Sequence, residues 1–189
     1  MRPFIFLFLL LLFPLSANAA PTTAERVENY LNSLTTVVTD FTQVAPDGSL
    51  SSGKFYLERP GKMRWEYNPP VPIVMVSSGG VMIYFDRELA QTSTIPIDNT
   101  PAGILVREHI AFSGDIAVKQ MTNEAGIIRV TLIQPEKPDN GELTLELTDK
   151  PLALKNLSFI DATKQETRIG FSNAVMGQPI DSKLFTLRK

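Results

Sequence analysis

Gly53-Lys-Phe-Tyr-Leu-Glu-Arg-Pro-Gly-Lys-Met-Arg-Trp-Glu-Tyr-Asn-Pro-Pro70 is the stretch that decides the fold. Phe55 and Leu57 alternate with Lys54, Tyr56 and Glu58, the period of two that a half-buried strand requires. Pro60-Gly61 supplies the fixed φ and the tolerance of positive φ wanted at the centre of a type II turn, so two strands joined by a tight turn are predicted. Proline pushes the residue before it toward extended geometry, which keeps Arg59 in the first strand. By parity Arg59 then shares a face with Phe55 and Leu57. A guanidinium facing an apolar interior must find acceptors, because it cannot shed its charge. Either it snorkels out at the strand end or it holds something.

Toward the N-terminus, residues 1–19 have the form of a cleaved secretory leader. Arg2 gives the positive start, Phe4 to Leu15 the apolar run, and Ala17-Asn18-Ala19 a small-x-small cleavage site. The apolar run is short for a membrane span and polar sequence follows it. Export leaves one domain of 170 residues, 20–189, with 17 basic against 20 acidic residues, net −3. That mild acidity, with no polybasic block, speaks against nucleic acid or an anionic membrane as partner. With no cysteine, the domain must rest on its own core, and thiol nucleophiles, cysteine metal sites and N-terminal lipidation are excluded.

The mature chain opens on a helix: Thr22-Thr23-Ala24-Glu25 fits a capping box, and Val27, Tyr30, Leu31 and Leu34 form one apolar stripe. The β-branched run Thr35 to Thr39 switches to strand, Asp47-Gly48-Ser49 turns, and further strands follow at Ile73–Val76, Val81–Phe85 and Ala90–Ile95, with Gly79-Gly80 as a turn. Ile97 to Gly114 breaks the pattern. Asn99 or Thr100 can cap a short apolar helix that starts at Pro101 and holds Ala102 to Val106, and His109 to Phe112 can form a second turn. This segment is either a plain crossover or a lid over the sheet. Strands resume at Asp115–Thr122 and Ile127–Gln134, and Asp139-Asn140-Gly141 signals a I′-type hairpin. Leu143, Leu145 and Leu147 alternate in the next strand, Leu152–Ile160 and Thr167–Phe171 complete the set, and Asp181–Phe185 makes a helical turn.

Roughly ten strands and two or three short helices give a mainly β (α+β) fold, a curved antiparallel sheet forming an unclosed barrel. A sheet of that length must curl around a helix or a ligand to bury one face. Met63, Met75, Met82, Met121 and Met176 are most simply core filler, and also suit an adaptable lipid cavity. Catalytic patterns are lacking: there is one histidine, His109, no nucleophile elbow and no glycine-rich phosphate loop. One histidine without cysteine indicates no transition-metal site, and no cofactor or enzymatic activity is expected.

Phe55 to Tyr67, followed by Pro69, closely resembles the signature of the LolA family of periplasmic outer-membrane lipoprotein carriers. Phe41-Thr42-Gln43 ahead of it, Val76 to Gly80 with Tyr84 after it, and Thr100-Pro101-Ala102 with Ile104-Leu105 follow in the family's order. The resemblance implies a hydrophobic cavity under helices that act as a lid. It implies acylated outer-membrane lipoproteins as cargo, the inner-membrane ABC transporter LolCDE as donor, and the outer-membrane receptor LolB, where one exists, as acceptor. It further implies that Arg59 latches the lid by hydrogen bonds. It also implies that Met63 lies by the cavity mouth, at a position where the family often has an aromatic residue. Phe55, Leu57, Met63, Trp65, Met75, Ile104, Leu105, Leu143 and Leu145 are the candidate lining of cavity and lid, and Pro60, Gly61, Thr100 and Pro101 their turn and lid structure. A monomeric periplasmic carrier is the expectation, with a carrier of another lipid (glycolipid or hopanoid) or a non-transport envelope binding module as alternatives.

Overall fold

Alternating sequence runs produce eleven strands in the computed structural model, which describes residues 20–187. The leader assigned to 1–19 lies outside the described residues. The strands are β1 (Thr36–Val44), β2 (Leu50–Glu58), β3 (Lys62–Tyr67), β4 (Ile73–Ser78), β5 (Val81–Asp86), β6 (Gln91–Pro96), β7 (Ala117–Glu124), β8 (Ile127–Ile133), β9 (Glu142–Asp149), β10 (Leu152–Ile160) and β11 (Glu166–Met176). All pair antiparallel in one sheet, ordered β6-β5-β4-β3-β2-β1-β11-β10-β9-β8-β7. Two meanders are thus zipped together through β1 and β11. The free edges are β6 and β7, neighbours in sequence that do not pair. The barrel is unclosed, and residues 97–116 must cross its opening.

Several local expectations shift. Glu58 pairs with Lys62, so Arg59-Pro60-Gly61 is a three-residue link, not a type II turn, although Gly61 does carry positive φ, 78°. Arg59 lies just past the strand, with its N–H still donating to Thr35 O at 2.8 Å. No I′ hairpin forms at Asp139–Gly141: eight residues separate β8 from β9 and include a 3-10 turn, Pro138–Asn140. The last strand runs five residues beyond Phe171, because β1 offers it partners as far as the Val37–Met176 pair.

One face of the sheet builds the core. Phe41, Phe55, Leu57, Met63, Trp65, Leu143, Leu145, Leu147 and Ile169 are all buried there. The other face is solvated except where the turn Ser182–Phe185 docks, with Phe185 packed on Val74 and Val76 and Arg64 Nη1 donating to Leu184 O at 3.0 Å. Within the core, the Phe41 ring meets Trp65 and Tyr67 edge-on, both centroids at 5.1 Å, and lies over its cross-strand partner Gly53. A β-carbon on Gly53 would sit 2.8 Å from that ring and collide with the Glu66 carbonyl. Gly53→Ala should therefore lower the unfolding free energy by about 2–3 kcal/mol, as overpacked cores do. Urea denaturation reads this directly, and an unchanged midpoint would refute the packing account.

Candidate functional site

The concave face is filled by two segments. The first is α1 (Thr23–Ser33), started by a complete capping box: Glu25 N donates to Thr22 Oγ1 at 3.2 Å and Thr22 N to Glu25 Oε2 at 2.7 Å. Its apolar stripe buries Val27 and Leu31. Its flank is tied to the sheet by Arg26, which pairs with Asp149 at 2.8 Å, and by the Tyr30 hydroxyl, which accepts from Leu154 N at 2.9 Å. The Arg26 guanidinium holds the Asp149 carboxyl below its ordinary range.

The second segment is the crossover between the free edges, with 3-10 turns at Ile97–Asn99 and Pro101–Val106. Pro101 opens the second turn, where its missing N–H costs nothing. Thr100 precedes it but does not cap it: the hydroxyl donates back to Ile97 O at 2.8 Å, because the preceding turn ends there. Ala102, Gly103, Ile104, Leu105 and Val106 are all buried. Gly103 rests on the Ile97 carbonyl, and a β-carbon there would lie 2.6 Å from it. At the base, buried Asn140 donates to Asp98 O and to Gln134 Oε1, each at 2.6 Å. Beyond Val106 no second helical turn forms at His109–Phe112. The chain instead runs along α1, where Asn32 donates to Ile110 O and accepts from Ile110 N, both at 2.8 Å. Glu28 Oε2 accepts from Phe112 N at 2.6 Å. These contacts explain the lost turn: its backbone groups bond to α1 side chains instead.

Arg59 joins the two segments. Its Nε donates to Leu105 O and its Nη1 to Leu31 O, both at 2.8 Å. Gly61 N adds a bond to Val106 O at 2.8 Å. One half-buried guanidinium thus holds a carbonyl of the crossover and a carbonyl in the last turn of α1, the negative end of that helix. Burial pushes the guanidinium down to about 10, which leaves it charged at neutral pH. Phe55, Leu57, Met63, Trp65, Leu143 and Leu145 come together in one core with Ile104 and Leu105, and half-buried Met75 packs against them. Met63 is fully enclosed. Pro60 is exposed at the hairpin tip. Nothing in the sequence marks Asn32 or Glu28, and Asn140 reads only as a turn residue, since an amide or carboxylate on a polar face carries no mark of its partner.

Little of the interior is vacant. A gap of about 40 Å³ lies beneath α1, among Leu31, Leu34, Leu57, Leu105, Leu157 and Phe171. An apolar groove of about 330 Å³ opens at the other end, between Trp65, Met75, Pro101, Phe159 and Ile169. The gap holds no more than a few waters. α1 and the crossover fill the rest of the concave face.

A family model described as "Outer membrane lipoprotein carrier protein LolA" matches residues 32–188. The chain belongs to that family. It is 32% identical to the outer-membrane lipoprotein carrier protein of Methylococcus capsulatus, over 93% of this chain and 88% of that protein. It is equally 32% identical to the protein of the same name from Chromohalobacter salexigens, over 93% and 87%. Among solved structures, a LolA superfamily protein from Nitrosomonas europaea shares the fold at 9% identity and TM-score 0.50, covering 88% of this chain and 99% of that one. An uncharacterized conserved protein from Thermus thermophilus matches at 10% identity and TM-score 0.52, over 89% and 96%. Among the described residues, no three metal-capable side chains cluster and no helix is long and apolar enough to cross a membrane.

Replacing Arg59 by leucine leaves the Leu31 and Leu105 carbonyls without this donor and leaves Gly61 N to Val106 O as the remaining bond from the hairpin tip to the crossover. Amide hydrogen exchange at Gly61 and Ile110 should accelerate in Arg59→Leu by about tenfold or more, the factor for losing at least one charged hydrogen bond. Leu145, deep in the sheet, should exchange at the wild-type rate. Equal acceleration at all three sites would mean general destabilisation and would refute a local clamp.

Proposed function

We propose that this chain is a periplasmic carrier of acylated lipoproteins, taking cargo from the inner-membrane transporter LolCDE and passing it to an outer-membrane receptor of the LolB type, or directly to the membrane. Family membership supports the carrier role, as do relatives named for the same task. The observation that carries the reading is the crossover. Five consecutive buried residues, Ala102 to Val106, cover an open-edged sheet and are hydrogen-bonded to a hairpin tip, with no strand pairing.

The energetics suit reversible carriage. A buried methylene contributes about 0.8 kcal/mol, so a long acyl chain removed from water is worth on the order of 10 kcal/mol. In this structure the same apolar walls lie beneath Val27, Leu31, Ile104, Leu105 and Ile110. Loading therefore exchanges one apolar occupant for another, and net affinity is the difference between them. Arg59 sets that difference. Hydrogen bonds from a charged donor contribute about 1.5–3 kcal/mol each, toward the low end at a half-exposed site. They favour the closed form, and so favour release at the destination.

Two measurements test the proposal. Mass spectrometry of the protein purified from periplasm should find acylated polypeptide bound to it, whereas free glycolipid or hopanoid would reassign the cargo. Arg59→Leu should load at least as well as wild type yet transfer cargo to acceptor membranes about ten- to a hundredfold more slowly, the range for removing 1.4–2.8 kcal/mol of preference for closure. Transfer at the wild-type rate would overturn the latch.

A further inference from the structure

Asn32 and Glu28 lie on the edge of α1 that faces the crossover, and they read backbone, not side chains. Asn32 pairs both ways with Ile110, its Nδ2 donating to the carbonyl and its Oδ1 accepting from the N–H, each at 2.8 Å. Glu28 Oε2 takes the N–H of Phe112, two residues on, at 2.6 Å. Together they accept the donor–acceptor face of a short extended peptide, as an edge strand would. The Ile110 side chain between them is fully buried. The carrier reading requires this segment to leave when acyl chains enter, and leaving uncovers an amide and a carboxylate beside an apolar hole. Partly buried polar groups with lost partners are costly unless something replaces those partners.

We propose that, in the loaded protein, Asn32 and Glu28 hold the extended polypeptide to which the acyl chains are attached, with an aliphatic side chain or the first methylenes of an acyl chain in the site of Ile110. The crossover segment Ile110–Phe112 is then an internal mimic of the cargo backbone, occupying its site in the empty state. This rests on the carrier reading and deepens it: it separates an acylated polypeptide from a free lipid with the same chains. The two ligands share the apolar term, and only the polypeptide supplies an N–H, a carbonyl and a second N–H in register. Asn32 is in this account a specificity-determining residue, not only a lid contact.

The test compares a synthetic lipopeptide, a dipalmitoylglyceryl cysteine followed by about four residues, with dipalmitoylglycerol carrying no peptide. Binding to the wild-type and Asn32→Ala proteins is measured for both. The wild type should prefer the lipopeptide by about tenfold, the factor for two net hydrogen bonds, and in Asn32→Ala the ratio should fall toward one. If Asn32 is only a lid contact, both ligands gain affinity by the same factor and the ratio stays at the wild-type value, which overturns the proposal. Should Asn32→Ala fail to fold, a lipopeptide N-methylated on its backbone amides decides with the native protein: lost preference supports the proposal and retained preference refutes it. Equal wild-type affinity for lipopeptide and dipalmitoylglycerol also refutes it, while leaving lipid carriage intact. Binding of neither ligand refutes the carrier reading itself.

Discussion

The half-buried guanidinium of Arg59 turns its Nε and Nη1 N–H groups inward, where they need acceptors, and that constraint organises the molecule. It spends them on two carbonyls, Leu31 O and Leu105 O, that belong to segments more than seventy residues apart. Without that fork, α1 and the crossover would meet over the sheet through apolar contacts and a few side-chain bonds from Asn32 and Glu28. A strand pairing of β6 with β7 would have closed the barrel, and hydrophobic packing alone would have made a lid with no defined register.

The sheet is built to make such a cover necessary. Zipping β1 to β11 completes the fold in the middle and leaves the two edges at the crossover, where covering the core is the only way to bury it. The concave face is lined by Phe55, Leu57, Trp65, Leu143 and Leu145, which would form a large exposed apolar patch if uncovered. The two covering segments are held unequally. α1 is fastened to the β9–β10 side by Arg26 and Tyr30, and the crossover is fastened at its base by Asn140. The stretch between Thr100 and Phe112 hangs on Arg59, Gly61, Asn32 and Glu28.

Most of the sheet is legible in the sequence, because period-two alternation states which residues share a face and Gly48, Gly79-Gly80 and Ala125-Gly126 state where the chain turns. The face assignment of Phe55, Leu57 and Arg59 needs nothing more than parity. The fully apolar run Ala102–Val106 between strands leaves a plain crossover and a covering element both open, whereas the capping box at Thr22–Glu25 marks the start of α1. The pairing of β1 with β11 is not legible, since it joins distant segments with no local signal. The Asn140-Gly141 pair misleads for a related reason: a strong turn signal is local, whereas the Asn140 side chain is held by Asp98, forty-two residues away. Thr100 misleads likewise, its hydroxyl drawn to Ile97 O by the turn before it. His109–Phe112 has ordinary turn composition, and the bonds of its backbone to Asn32 and Glu28 take the place of a turn.

The central claim is that the crossover leaves the sheet when an acyl chain enters. The chain contains no cysteine, so single cysteines introduced at the exposed positions Glu108 and Lys155 can carry spin labels on the crossover and on the outer face of β10 without competing sites. Pulsed electron resonance between the two labels reports their separation. The account predicts one short, narrow distance in the empty protein and a shift to longer distances when the lipopeptide is bound. The same short distance with the lipopeptide demonstrably bound would contradict it.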